Sequence, residues 1–109
     1  MNMEKVLLWG TGEFARKYEK EIRSRFESDE LSLLGFVDNN PKKKGSNLYG
    51  YRIYGPDEIG RLDFDRIVVT ASKEKYRIIR NQILTNSEIN VPKEKVNSFT
   101  WLLIDSCPV

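Results

Sequence analysis

Short apolar runs alternate with amphipathic segments along the chain, and this alternation predicts an α/β fold. The runs are rich in Val, Ile, Leu and aromatic residues, which is typical of strands buried in a parallel sheet. The element order β-α-β-β-α-β-α-β predicts a three-layer α/β/α architecture with right-handed crossovers and a mainly parallel sheet of about five strands. The predicted strands lie within Lys5–Trp9, Leu31–Val37, Leu48–Tyr54, Arg66–Ala71 and Val96–Phe99. In Leu48–Tyr54 a loop with a turn at Gly50 is expected to lead to a short third strand.

Amphipathic helices are predicted between these strands. The first runs from about Glu13 to Phe26. Apolar residues recur every four positions on one of its faces, at Phe14, Tyr18, Ile22 and Phe26. A short helix is expected to begin at Gly55-Pro56-Asp57-Glu58, and a longer one to run from Lys73 to about Asn86, with Tyr76, Ile79 and Ile83 facing the core and Ser72 as its N-cap.

The length and the charge distribution favour one ordinary globular domain, 1–109, either complete or cut from a larger protein. A chain of 109 residues with a net charge of +2 builds a real core but not a cofactor domain plus a substrate domain. Basic and acidic residues are interspersed, so no nucleic-acid partner is expected, and Lys42-Lys43-Lys44 is interpreted as a solvated loop.

Cysteine and histidine usage excludes some kinds of site. The single Cys107 and the absence of histidine leave no disulfide framework and no cysteine-rich metal site within one chain. The apolar run Val6–Trp9 is too short for a signal peptide, and no stretch approaches the length of a membrane span. A cytoplasmic location is therefore expected.

A glycine loop follows the first predicted strand and opens the first helix. Gly10, Gly12 and Ala15 have the spacing G-x-G-x-x-A. In a dinucleotide-binding turn, the first glycine permits a tight bend, the second lets a pyrophosphate approach the backbone, and the third small residue lets the helix pack closely. Glu13 sits in the first helical turn, where its carboxylate would satisfy the helix dipole itself or repel a phosphate unless it points outward.

The second predicted strand ends on an acidic residue, Asp38. A Rossmann fingerprint places such a residue about 20 positions after the glycines, where it binds the ribose diol. Asp38 comes somewhat later, and the loop Ser28–Glu30 accommodates the extra residues. The alternative is that Asp38 only begins the turn Asp38–Pro41. Ribose binding would favour NAD over NADP, unless the lysines at 42–44 fold back to offset the carboxylate.

The end of the fourth predicted strand supplies further candidates. Thr70, Ala71 and Ser72 follow the buried run, at the sheet edge where open α/β sheets bind ligands. Ser72 is better explained as a helix cap than as a ligand contact. The candidate cofactor-binding residues are Gly10, Thr11, Gly12, Glu13, Phe14, Ala15, Asp38, Asn39, Thr70, Ala71 and Ser72.

Three stretches of the chain carry a pattern shared with known proteins: KVLLWGTGEFARKY, LLGFVDNNPKKKGSNLYGYRIYGPDEI and FDRIVVTASKEKYRIIRNQI. They resemble the N-terminal nucleotide-binding domain of bacterial polysaccharide-biosynthesis sugar-nucleotide dehydratases and epimerases. Similar modules accompany glycan acyltransferases and methyltransferases. The resemblance implies binding of a nucleotide or a sugar-nucleotide in surface-glycan metabolism, and it does not imply catalysis. The predicted ligand is NAD or a nucleoside-diphosphate sugar, and Asp38 does not distinguish between the two. The residues that match the family pattern are Gly10, Gly12, Ala15, Asp38, Asn39, Pro41, Gly45, Gly50, Ile53 and Tyr54.

The catalytic pair of the short-chain-dehydrogenase-like relatives, Tyr-x-x-x-Lys, does not occur in the chain. Tyr76 and Arg80 come nearest, but an arginine cannot replace the lysine that tunes a tyrosine base. Catalysis by this chain alone is therefore not favoured.

Three functions remain open on the sequence alone. The leading one is a nucleotide-binding module that is part of, or partners, a larger glycan-biosynthesis enzyme. The second is an interaction module that has lost its ligand, and the third is a small stand-alone enzyme. The apolar tail Thr100–Ile104 either completes the core or mediates homodimerisation or docking to a partner enzyme.

Overall fold

The computed structural model of the protein describes residues 3–27 and 30–104, with Ile104 described by its backbone alone. Cys107 and Ser28 lie outside the described residues. The strands are β1 Glu4–Trp9, β2 Leu31–Val37, β3 Asn47–Leu48, β4 Tyr51–Tyr54, β5 Arg66–Val69 and β6 Val96–Ser98. The helices are α1 Glu13–Lys17, α2 Glu19–Arg25, α3 Lys73–Leu84 and α4 Phe99–Ile104, with 3₁₀ turns at Ile59–Arg61 and Lys93–Lys95.

The six strands form one sheet in the order β3-β4-β2-β1-β5-β6. Every neighbouring pair is parallel except β3 and β4. Apolar side chains from α1, α2 and α4 cover one face, and those from α3 cover the other. This arrangement confirms the predicted three-layer α/β architecture. No helix in the described part of the chain is long and apolar enough to cross a membrane.

The central strand β1 is buried on both sides. Val6 and Leu8 pack beneath α1, α2 and α4, whereas Leu7 and Trp9 pack on the opposite face beneath α3. All four side chains are buried. A strand with two dry faces needs apolar residues at successive positions, so this run does not alternate with polar residues.

The first helix is interrupted, although a single helix was predicted from Glu13 to Phe26. Tyr18 separates α1 from α2 with φ −105° and ψ 26°. Its ring packs 4.9 Å from Phe14 and 5.0 Å from Phe99, measured between ring centroids. The predicted apolar face does lie against the core, with Ile22 fully buried. The interruption thus coincides with an aromatic cluster that includes a residue far away in the sequence.

The segment before the third parallel strand forms a hairpin. β3 pairs antiparallel with β4, and Tyr49 and Gly50 form the turn with φ values of 54° and 85°. Positive φ at both central residues matches the twist of a two-residue hairpin. The turn at Gly50 was predicted, whereas β3 was not, and it is the sixth strand of a sheet predicted to have about five.

Only a 3₁₀ turn forms where a short helix was predicted to begin at Gly55. The Glu58 carboxylate accepts a hydrogen bond from the Gly55 N–H at 2.9 Å, which closes a tight turn. Gly60 lies so close to the backbone of Glu88 that a Cβ would be 2.5 Å from the Glu88 carbonyl oxygen. This crowding accompanies the short turn Ile59–Arg61.

The helix after β5 was predicted accurately at its start. The Ser72 hydroxyl accepts a hydrogen bond from the Lys75 N–H at 3.5 Å, which confirms Ser72 as the N-cap. The helix ends at Leu84, two residues before the predicted end at Asn86. β5 ends at Val69, so the adjoining residues Thr70 and Ala71 belong to the turn rather than to the strand.

The C-terminal apolar run forms a helix that packs on the sheet. Phe99 begins α4 instead of ending the last strand, and Phe99 and Leu102 are buried in the core. Trp101 is half-buried and stacks on the Arg66 guanidinium, 4.0 Å from the ring centroid. Leu103 remains 41% exposed. The run therefore helps to complete the core.

Candidate functional site

The strand order reverses at the centre of the sheet, where β1 lies between β2 and β5. In open α/β sheets, ligands bind at such a point, outside the carboxyl ends of the strands. A cleft of about 570 Å³ lies there. Its lining includes all but one of the residues that the sequence predicted: Gly10, Thr11, Gly12, Glu13, Phe14, Asp38, Asn39, Thr70, Ala71 and Ser72.

Ala15 is the predicted residue that does not line the cleft. Its side chain is fully buried in the core on the face covered by α1, α2 and α4. A small residue there permits close packing of the helix on the sheet, as the G-x-G-x-x-A spacing predicted. Its role in the structure is packing.

Gly10 is confined by the end of β5. Its φ is 124°, and a Cβ would lie 2.6 Å from the Thr70 carbonyl oxygen. The Gly10 N–H donates to the Val37 carbonyl oxygen at 2.7 Å, and the Thr70 hydroxyl donates to the Gly10 carbonyl oxygen at 2.6 Å. Gly10 thus joins the carboxyl ends of three strands, and no other residue fits there without strain.

Gly12 faces open space instead. Its φ is −86°, and a Cβ would have no atom within 4 Å. A side chain is therefore sterically acceptable at Gly12. Its absence leaves the backbone of the loop accessible from the cleft.

Asp38 holds the glycine loop to the end of β2. One carboxylate oxygen accepts hydrogen bonds from the Thr11 N–H at 3.0 Å and from the Thr11 hydroxyl at 2.5 Å. The other accepts from the Asn40 N–H at 2.8 Å, which confirms the turn that was one of the two interpretations of Asp38. Burial raises the pKa of Asp38, but these hydrogen bonds and the Lys43 ammonium together lower it below its ordinary value.

Asp38 is expected to stabilise the fold at neutral pH and to lose that effect in acid. Because the pKa of the folded state lies below the unfolded value of about 3.9, the contribution is complete above that value and declines as the pH falls through the folded pKa. Asp38→Asn should lower the free energy of unfolding by about 1–3 kcal/mol at pH 7 and by less at pH 3. Urea unfolding across this range measures the difference.

The exposed carboxylate Asp63, which lies outside the cleft, provides a control for that experiment. Asp63→Asn should change the free energy of unfolding by less than about 1 kcal/mol, because its side chain is 88% exposed and its ion pair with Lys5 is on the surface. Equal destabilisation by Asp38→Asn at pH 3 and pH 7 would contradict the assigned role of the Asp38 charge.

Lys43 lies against the glycine loop rather than in solvent. Its ammonium is 3.1 Å from the Thr11 hydroxyl oxygen, 3.4 Å from the Thr11 carbonyl oxygen and 3.8 Å from an Asp38 carboxylate oxygen. The interpretation of residues 42–44 as a solvated loop is therefore wrong for Lys43. The sequence did raise the idea that this loop folds back, but nothing local distinguishes Lys43 from its two neighbours.

The cleft carries more positive than negative side chains. Lys17, Lys43 and Lys75 line it together with Glu13 and Asp38. Glu13 is exposed. The excess of ammonium groups over carboxylates favours an anionic ligand in the cleft.

A pair of amide side chains joins the end of β2 to α3. The Asn39 amide donates to Gln82 at 3.1 Å, and the Gln82 amide donates back to Asn39 at 2.9 Å. Asn39 was predicted at the site, whereas Gln82 was not, because no helical pattern shows which polar residue meets a distant loop. The pair holds the turn after β2 against the helix that follows β5.

Solved structures with similar folds include an enzyme and a repressor. UDP-D-quinovosamine 4-dehydrogenase from Vibrio fischeri is 23% identical, with a TM-score of 0.59 over 83% of this chain and 76% of its own. RSP, a Rex-family repressor, is 15% identical, with a TM-score of 0.60 over 89% of this chain and 52% of its own. RSP in complex with beta-NAD+ and operator DNA is 16% identical, with a TM-score of 0.59 over 88% of this chain.

These likenesses establish a Rossmann-like fold, and at such identities they establish the fold alone. The chain spans about half the length of the two RSP chains, 52% and 49%. The comparison with curated protein sequences gave no match. Residues 2–97 match the family described as C2185-like, N-terminal, which covers nearly all of the sequence. The chain therefore belongs to the C2185-like N-terminal domain family.

Proposed function

We propose that the protein binds a nucleotide, either NAD or a nucleoside-diphosphate sugar, in the cleft at the carboxyl ends of β1, β2 and β5. The observation that carries this proposal is the convergence of Gly10, Gly12, Asp38 and Thr70 around one cleft at the strand-order reversal. The open backbone at Gly12 gives a pyrophosphate room to approach, and the lysines of the cleft favour an anion.

The choice of ligand classes is supported by the proteins that share the fold. RSP is known in complex with beta-NAD+ and with beta-NADH, and the Vibrio fischeri protein is named for a UDP-sugar. Both ligand classes contain a pyrophosphate and a ribose, which are the groups that a glycine loop and an acidic residue after β2 recognise.

We further propose that the protein is a module of bacterial surface-polysaccharide biosynthesis. The support is the resemblance of three sequence stretches to sugar-nucleotide dehydratases and epimerases, together with a structural neighbour named as a UDP-sugar dehydrogenase. In this role the module is either part of a larger enzyme or a separate partner that presents its nucleotide to that enzyme. The C-terminal helix offers Leu103 as an exposed apolar contact.

An interaction module without a ligand is the second candidate. It is favoured by the loop itself, because the polar groups of Asp38, Thr11 and Lys43 are hydrogen-bonded to one another within the chain. Glu13 in the first helical turn also opposes a bound phosphate. A binding measurement separates this candidate from the first.

A thermal-shift panel with NAD, NADP and UDP-sugars tests nucleotide binding. A ligand present at a hundred times its dissociation constant stabilises the protein by about 2.7 kcal/mol, which raises the melting temperature by roughly 10 °C or more. Gly12→Asp should abolish the shift, because a carboxylate then faces the phosphate. The variant should still fold, since the space there is open and aspartate is a favoured N-cap.

Ser87→Asp provides the matched control, because it adds the same charge at an exposed turn outside the cleft. This variant should bind as the wild type does. If no nucleotide shifts the melting temperature of the wild type, the proposal fails and the interaction module is favoured. A shift that survives in Gly12→Asp would place the ligand elsewhere on the chain.

A further inference from the structure

The loop that carries Lys43 is held in place by its own backbone hydrogen bonds. The Lys43 N–H donates to the Asn40 carbonyl oxygen at 3.0 Å, and the Lys43 carbonyl oxygen accepts from the Ser46 N–H at 3.0 Å. The next turn is fixed by the Gly45 N–H, which donates to the Ile53 carbonyl oxygen at 2.9 Å. The ammonium group of Lys43 is therefore presented to the cleft from a folded loop, and its side chain is 32% exposed.

Asp38 has little capacity left for a ribose diol. An ionised carboxylate offers about four acceptor sites. Three are used by the Thr11 N–H, the Thr11 hydroxyl and the Asn40 N–H. A site selects an unphosphorylated ribose when its carboxylate accepts hydrogen bonds from the ribose diol and repels a phosphate attached at that position. Asp38 can therefore accept about one further hydrogen bond, which is too few to bind both hydroxyls of the diol.

The negative charge of Asp38 is also offset by the positive charge of Lys43, which lines the same cleft. The Lys43 ammonium lies 3.8 Å from the carboxylate. A phosphate on the ribose next to Asp38 would be repelled by the carboxylate and attracted by the ammonium, and at similar distances the two Coulomb energies largely cancel. Of the three lysines of the cleft, Lys43 is the one that contacts Thr11 and Asp38 within the described residues.

From these contacts we propose that Lys43 is a specificity-determining residue that lets the cleft accept a 2′-phosphorylated dinucleotide alongside the unphosphorylated one. The proposal rests on the proposed nucleotide site and adds a ligand class to it. It also revises the expectation that Asp38 selects NAD over NADP. Lys42 is the natural comparison, because its exposed side chain makes no hydrogen bond or ion pair with the other described residues.

Isothermal titration of NAD+ and NADP+ into the wild type, Lys43→Gln and Lys42→Gln tests the proposal. In the wild type the two dissociation constants should agree within about tenfold. Lys43→Gln should weaken NADP+ binding by about tenfold more than NAD+ binding, because only NADP+ carries the phosphate next to Asp38. Lys42→Gln should leave the ratio of the two constants unchanged. Far-UV circular dichroism and the melting temperature check that each variant is folded.

The outcomes distinguish this proposal from the nucleotide site itself. If the wild type binds NAD+ but the ratio is the same in Lys43→Gln, the role of Lys43 is overturned and the nucleotide site stands. If the wild type binds a UDP-sugar and neither dinucleotide, the role of Lys43 is likewise overturned and the nucleotide site stands. If Lys42→Gln changes the ratio as much as Lys43→Gln, the effect is one of general charge and the specific role is wrong. If no nucleotide binds to the wild type, both proposals fail.

Discussion

Gly10→Ala is expected to lower the free energy of unfolding by about 3–5 kcal/mol, a large share of the total for a small domain. Two causes add. The φ of 124° is unfavourable for any residue with a side chain, and the new Cβ would lie 2.6 Å from the Thr70 carbonyl oxygen. Neither partner can move freely, because the Gly10 N–H is hydrogen-bonded to β2 and the Thr70 N–H to the Trp9 carbonyl oxygen.

Gly12→Ala is the matched control, since it makes the same change two residues away. A Cβ there meets no atom within 4 Å, and φ is −86°. We expect a change of less than about 1 kcal/mol in the free energy of unfolding. Equilibrium unfolding in urea measures both variants. Equal stability of the two would show that the turn at Gly10 relaxes, and the tight junction of three strands described here would then be wrong.

The contrast between the two glycines separates packing from binding within one motif. The spacing G-x-G-x-x-A indicated a tight turn, an open backbone and a small packing residue at Gly10, Gly12 and Ala15. In the structure, Gly10 is crowded, Gly12 is open, and Ala15 is buried in the core. A substitution at Gly10 is therefore expected to destabilise the protein. A charged substitution at Gly12 is expected to abolish ligand binding and to leave the stability of the protein nearly unchanged.

Features encoded by nearby residues were predictable from the sequence. β1 and β5 are continuous apolar runs, and Ser72 precedes apolar residues at helical spacing. A few neighbouring residues are therefore enough to predict each of these elements. The cleft followed from them, because parallel strands bring Gly10, Asp38 and Thr70 to one edge. The turn at Asp38 was predicted as an alternative to ribose binding, and the structure shows that the same carboxylate also holds Thr11.

Features that depend on distant partners were not predictable in the same way. Lys43 approaches Thr11 across 32 residues, and Gln82 meets Asn39 across 43. Neither contact leaves a periodic signal in the sequence. β3 is only two residues long, and it forms because the turn at Tyr49-Gly50 folds it back onto β4. Local sequence patterns were thus enough to predict where the candidate site lies, whereas its charge distribution depends on contacts between residues far apart in the sequence.

Leu102→Ala is expected to lower the free energy of unfolding by about 2–5 kcal/mol, because it would leave a cavity in the core. Leu102 is fully buried, and it packs in the cluster that includes Phe99, Ile22 and Val68. The Leu102 carbonyl oxygen also accepts a hydrogen bond from the buried Arg25 guanidinium at 3.0 Å. Thermal or urea unfolding of the variant measures how strongly α4 is part of the fold.

Leu103→Ala provides the comparison on the same helix. Its side chain is 41% exposed, so a change of less than about 1 kcal/mol is expected. A small effect of Leu102→Ala would mean that α4 is only loosely attached and would contradict its place in the core.

The homodimer predicted from the apolar tail Thr100–Ile104 would have to use the exposed Leu103, because Leu102 is buried in the core. Light scattering of the wild type and Leu103→Asp tests it: a dimer that uses this helix should dissociate in the variant, whereas the fold should remain intact because Leu102 still fills the core.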